Sequence, residues 1–180
     1  MSIASSVTTT LVSPIRGSQG EEYRAVVNVF LGDEQDEPLD SASLLRFAEM
    51  ILVDEGFPDD THMAVMLVTR EQMAEYNRRF MSRRGPTDVL AFPIEDLSPG
   101  LVPTPAANEP PVELGDVFLC PSEIKRHAAN ERVDFDGYLH LLLAHGILHL
   151  LGYDHEEEEG ARLMERREEE LLGLVGRKLW

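Results

Sequence analysis

Between Tyr138 and Leu151 the chain is strongly apolar, yet it sets His145 and His149 four residues apart inside that run. The apolar character predicts a helix, and at 3.6 residues per turn side chains four apart project from one face on successive turns, where both rings can meet one ion. Gly152 stands where a helix ends in a left-handed residue, which lets the chain fold back and bring His155 to the same point. Three neutral imidazoles leave the fourth tetrahedral position of a zinc ion open to water, the layout of a catalytic rather than a closed structural site. We therefore expect His145, His149 and His155 to hold one Zn2+ ion, although imidazole suits other first-row metals as well.

Gly146 occupies the position where zinc peptidases of the His-Glu-x-x-His type carry their general base, so a peptidase reading lacks that base. Glu156 to Glu159 are most simply explained by favourable charge at the N-terminus of a last helix. Asp154 either caps that helix or orients a ligand histidine. His62, His127 and His140 are expected to be ordinary core or surface residues; His140, five residues before His145, turns away from it by about 140°. No general acid or base is assigned, so the catalytic residues are left unknown.

The predicted elements place this motif in a mixed architecture. Strands are expected over Tyr23–Phe30, Met63–Thr69, Val89–Phe92 and Leu114–Cys120, with an acidic turn from Gly32 ending the first. Asp40 or Ser41 caps a helix whose buried face is Leu44, Leu45, Phe47, Ala48, Ile51 and Leu52, and Pro58 after Gly56 stops it. Further helices are expected over Arg70–Phe80, Pro121–Glu131, Tyr138–Leu151 and Glu156–Leu172, the last with Ala161, Met164 and Leu171 on its core side. Without strict strand–helix alternation the fold class is α+β: a small mixed sheet of about four strands packed with about five helices. Residues 1–20 are expected to be a flexible extension and residues 21–180 a single domain, interrupted by a proline-rich loop at 94–113 that runs over the surface.

At 180 residues, 43% of them apolar, the chain suits one core of ordinary size. It carries neither the basic start and apolar run of a signal peptide nor the roughly 18 apolar residues of a membrane span, so a soluble, cytoplasmic protein with no membrane partner is expected. A single cysteine, Cys120, excludes an internal disulfide framework and a multi-cysteine metal site, and is expected as a small buried hydrophobe. The formal charge of −17 looks hostile to nucleic acid, yet Arg78, Arg79, Arg83 and Arg84 fall within seven residues free of acids, while Glu156–Glu159 and Glu168–Glu170 gather negative charge elsewhere. A local basic surface is compatible with that polarity.

His145 to His155, followed by Glu156, resembles the signature of the YbeY family of bacterial endoribonucleases. Gly85-Pro86-Thr87-Asp88-Val89-Leu90-Ala91-Phe92-Pro93 is similar to the family's Thr-Asp-Val-Leu-Ser-Phe-Pro strand, with Ala91 in place of serine, and Leu114-Gly115-Asp116 to its Leu-Gly-Asp strand. The helix ending Tyr76-Asn77-Arg78-Arg79-Phe80 is also similar. The resemblance implies metal-dependent, single-strand-specific cleavage of RNA in ribosomal RNA maturation, particularly of the small-subunit 3′ end, and in ribosome quality control. It implies single-stranded ribosomal RNA and small-subunit ribosomal proteins as partners, and the three histidines as zinc ligands. One departure stands out: many members carry an arginine, thought to engage RNA, six residues before the motif threonine, where this chain has Met81 as high-GC Gram-positive members tend to have. Arg83 or Arg84 is a candidate for that charge, and Thr87-Asp88 reads otherwise as a polar entry to a strand. Against the hydrolase stands a non-catalytic ribosome-assembly factor in which the same metal only fixes the fold.

Overall fold

The computed structural model describes residues 15–16, 22–23, 27–103 and 110–177. The expected extension over residues 1–20 lies outside them, except that Ile15–Arg16 (β1) pairs antiparallel with Glu22–Tyr23 (β2). The strands Asn28–Asp33 (β3), His62–Leu67 (β4), Val89–Pro93 (β5) and Glu113–Leu119 (β6) form one sheet in the order β3-β4-β6-β5. β3, β4 and β6 are parallel, and β5 joins β6 antiparallel at an edge, where Pro93 needs no donor to a further strand. The described helices are Ser41–Asp54 (α1), Arg70–Met81 (α2), Pro121–Glu131 (α3), Phe135–Leu150 (α4) and Glu158–Leu174 (α5). The architecture is the expected α+β arrangement of a four-stranded mixed sheet with five helices.

Alternation along the strands sorts two faces. Val65, Leu67, Val117 and Leu119 join the main core with Leu44, Phe47, Ile51 and Leu52 of α1 and Leu143, Ile147 and Leu148 of α4. Met66, Leu90, Phe92 and Phe118 lie on the other face, which α2 covers in part through Met73 and Tyr76. Each large aliphatic or aromatic side chain buried in this way contributes about 1.5–3 kcal/mol relative to exposure. His140 is buried among the core helices, its ring 5.1 Å from that of Phe47, and burial pushes its pKa below the ordinary histidine range.

Several boundaries shift from the sequence expectation for identifiable reasons. Of the strand expected over Tyr23–Phe30, residues 24–26 lie outside the described set and Val27 is not in the ladder; the first long strand described is Asn28–Asp33, in which Gly32 and Asp33 pair in register with Met66 and Leu67 and stay extended despite their turn chemistry. Thr69 is not a strand residue: its hydroxyl accepts from Gln72 N while the Gln72 side chain accepts from Thr69 N, a capping box that starts α2. Asp134 accepts from Gly137 N at 2.7 Å, so α4 begins three residues before Tyr138. Within the proline-rich loop, residues 104–109 lie outside the described set, but the preceding stretch is not merely superficial. Leu97 and Val102 pack on the main core, and the backbone of Leu97 passes close against Gly152.

β6 carries one extra residue opposite the His62/Met63 step of β4, a bulge at which Gly115 takes φ +119°. A Cβ added there would lie 2.1 Å from the carbonyl oxygen of Phe92, an atom of the edge strand's backbone. Gly115→Ala therefore combines a disfavoured φ with a collision that no rotamer relieves. It is expected to cost about 3 kcal/mol or more, roughly 10 °C in Tm. Thermal unfolding with an unchanged Tm would show that the strand–strand approach is not constrained by this glycine.

Candidate metal centre

The metal-site geometry begins with how α4 meets the sheet. Gly146 faces β5 and β6, and a Cβ added to it would lie 2.6 Å from Val117 Cγ1 and 3.2 Å from Val89 Cγ2. The absence of a side chain lets the helix lie close on the strands, and a glutamate at this position would meet the sheet instead of a bound substrate. Leu151 N bonds back to Ile147 and Leu148, Gly152 adopts φ +85°, and Tyr153 N returns to the Leu148 carbonyl. This left-handed ending reverses the chain over two residues and delivers His155 beside the helix it has just left.

The three histidines do come together. Ligand nitrogens of His145, His149 and His155 all lie within 4.8 Å of one another, and the ring centroids are 4.6, 5.4 and 5.0 Å apart. His145 and His149 are half-buried and His155 is exposed, so the cluster opens toward solvent on the His155 side. His149 Nδ1–H donates to the Tyr153 carbonyl at 3.0 Å. On His145, Nδ1–H donates to Glu168 Oε1 at 2.8 Å, the neutral-imidazole assignment that a carboxylate partner favours. With both Nδ1 positions committed as donors, each Nε2 presents a lone pair, and these two nitrogens face one another at 3.1 Å.

Two bare lone pairs at that separation repel unless an electrophile lies between them. Burial pushes the His149 pKa down, which favours the neutral ring whose Nε2 lone pair a metal can take. A divalent metal ion fits between the two nitrogens: tetrahedral nitrogen ligands about 2.0–2.1 Å from zinc stand roughly 3.3 Å apart. The donor set is able to hold a metal ion.

Sequence reasoning missed Glu168, whose side chain is only 13% exposed. It is delivered by α5, and the neighbouring Arg167 fixes that helix to the end of α1. Arg167 binds Glu55 Oε1 at 2.6 Å, Glu170 Oε2 at 3.0 Å and the Asp54 carboxylate. Burial works to lower the Arg167 pKa, but the hydrogen bonds it donates to these carboxylates outweigh it and hold the guanidinium charged. Asp154 does not orient a ligand: its Oδ1 accepts from Glu156 N at 2.6 Å and shapes the turn before α5. Glu158 and Glu159 sit in the first turn of α5, as the charge argument expects.

The remaining candidates lie apart from the cluster. His127 Nδ1 donates to Asp88 Oδ2 at 2.6 Å, which gives the Thr87-Asp88 entry to β5 a side-chain anchor on α3. His62 pairs with Glu113 at 3.0 Å, and Cys120 is fully buried as expected. Of the arginine island, Arg78 is held by Glu75 at 2.6 Å, whereas Arg79, Arg83 and Arg84 are exposed, as is Met81.

If Glu168 fixes the His145 tautomer, its loss should be felt in metal affinity. Glu168→Ala is expected to weaken binding about 10- to 100-fold, measured by competition with a chromogenic chelator, while Glu168→Gln, which still offers an oxygen acceptor, retains more. Equal affinities in all three proteins would remove Glu168 from the site.

Comparison with known proteins follows the same outline. A family model described as Endoribonuclease YbeY matches residues 31–176. The chain is 38% identical over 146 residues to Endoribonuclease YbeY of Thermobifida fusca, covering 81% of this chain and 92% of that one. It is 39% identical over 140 residues to the same-named protein of Salinispora tropica, covering 77% and 89%. Among solved structures, the solution structure of TM1509 from Thermotoga maritima aligns with a TM-score of 0.53 at 28% identity, over 83% of this chain and 91% of that one. Helix α4, the cluster of His145, His149 and His155, and strands β4, β5 and β6 fall inside the matched region, and the chain belongs to the YbeY endoribonuclease family.

Proposed function

We propose that the chain is a zinc-dependent endoribonuclease that cuts single-stranded RNA, acting in the cytoplasm on ribosomal RNA, with maturation of the small-subunit 3′ end and ribosome quality control as its setting. The observation that carries this reading is the facing pair of His145 and His149 Nε2 atoms at 3.1 Å with His155 beside them and solvent on the open side. His145, His149 and His155 would hold the ion. When bound, zinc would supply Lewis acidity to a phosphodiester oxygen and ease deprotonation of water near neutral pH.

The chain's own residues set the conditions for that chemistry. Glu168 and the Tyr153 carbonyl keep the two α4 imidazoles in the metal-binding tautomer and prevent their rings from turning. His155 is carried on an exposed turn, so the histidine cluster faces solvent on that side. Gly146 offers no carboxylate and faces the sheet, which disfavours the base-assisted peptide hydrolysis of His-Glu-x-x-His enzymes and is neutral toward phosphodiester cleavage.

His149→Ala separates catalysis from a purely structural metal. The variant is expected to remain folded by circular dichroism while cleavage of a labelled single-stranded RNA falls at least about 100-fold, and the parent should lose activity to a chelator and recover it with zinc. Parental cleavage by the folded variant would refute the hydrolytic role and leave the assembly-factor reading.

A further inference from the structure

We propose that the outer face of the sheet at the C-terminal end of α2 is a stacking platform for single-stranded RNA, with Phe80 as its base-contacting ring and Arg79, Arg83 and Arg84 as phosphate contacts. This rests on the RNA-cleaving reading of the metal centre and adds a place for the strand that leads into it.

One aromatic at this end of α2 is not explained by packing alone. Phe80 is 53% exposed in the last turn of α2, yet its position is tightly defined. Its ring meets Phe92 of β5 edge-on at 5.2 Å, Phe92 meets Phe118 of β6 edge-on at 5.5 Å, and Phe118 packs on Tyr76 of α2 at 4.9 Å. The ladder holds Phe80 at low entropic cost with much of its surface in water, the condition under which a base can stack without reorganisation. The Arg79 guanidinium lies 5.2 Å from the centre of the same ring, where a cation and an aromatic face together suit a base flanked by phosphate.

Charge selects the occupant. In a chain of formal charge −17, Arg79, Arg83 and Arg84 are exposed, and among the described residues none of them has a carboxylate at ion-pair distance. The loop that carries the last two is fixed: Arg83 N bonds to the Asn77 carbonyl at 3.2 Å, and buried Asn77 donates from Nδ2 to the Gly85 carbonyl at 2.9 Å. A polyanion with exposed bases matches both parts of this surface, the rigid ring on which a base can stack and the guanidinium groups that border it. Of the nearby carboxylates, Asp116 pairs in register with Phe92 on this face, and Glu75 is held by Arg78.

Position ties the platform to the metal centre. The loop runs from Arg84 directly into β5, and Val89 at the start of β5 lies under Gly146, the neighbour of His145. Arg84 and Val89 are therefore five steps apart along the chain, a span of at most about 18 Å between the arginine loop and the strand under the histidine-bearing helix.

The test is fluorescence anisotropy of the full-length, zinc-loaded protein with a fluorescein-labelled 2′-O-methyl oligouridylate about twelve nucleotides long. Phe80→Ala should weaken binding about tenfold or more, Phe80→Trp should restore it, and annealing the probe to its complement should abolish the dependence on position 80. Replacing Arg83 and Arg84 together by alanine should reduce the slope of log affinity against log salt by about 1.4. Unchanged affinity in Phe80→Ala overturns the platform and leaves a protein surface as the occupant of this face. Phe80-dependent binding by a parent that cleaves no RNA would refute the catalytic reading and keep this one, while cleavage with Phe80-independent binding would do the reverse.

Discussion

Two imidazole nitrogens, each left without a proton because its ring donates from the far side, face one another at 3.1 Å, and most of the molecule can be understood as what holds them there. The repulsion between their lone pairs is relieved when an electrophile lies between them, and the spacing suits a metal ion. One side of that place comes from a single helix, whose periodicity sets His145 and His149 on one face. The other side comes from a chain reversal and from a separate helix, and so depends on the tertiary structure.

The contact between α4 and the sheet sets the helix's depth. Gly146 brings the helix backbone close to Val117 and Val89, Gly152 permits the turn that carries His155, and Gly115 permits the strand approach at the bulge of β6. At each of these positions an added Cβ would meet another part of the chain rather than solvent. Arg167 serves a complementary purpose at the opposite side of the site: by joining α5 to Asp54 and Glu55 at the end of α1, it keeps Glu168 within hydrogen-bonding distance of His145. The histidine cluster is thus coupled to three helices, although only one of them and the turn after it supply its rings.

The parts of this arrangement that were legible in the sequence are those governed by local rules. The apolar spacing of α1, the cap at Asp40, the four-residue step between His145 and His149, and the left-handed Gly152 each follow from helix geometry and are found as expected. Glu168 was not recognised because its partner lies 23 residues away and acidic side chains crowd that part of the chain. A signal was present, since position 168 falls on the stripe of Ala161, Met164 and Leu171 that faces the core, where a carboxylate requires a partner. The strand at Asn28–Asp33 escaped for the opposite reason: pairing with β4 overrides the turn preference of Gly32 and Asp33. The Asp88–His127 contact spans 39 residues and carries no local pattern at all.

The most direct measurement is X-ray absorption at the zinc edge of the purified, zinc-loaded chain, compared with its His155→Ala variant. The account requires imidazole nitrogen scatterers at about 2.0–2.1 Å, three in the parent and two in the variant, with a lighter oxygen shell completing the coordination. A spectrum without imidazole scattering, or an imidazole count that does not change when His155 is replaced, would contradict it.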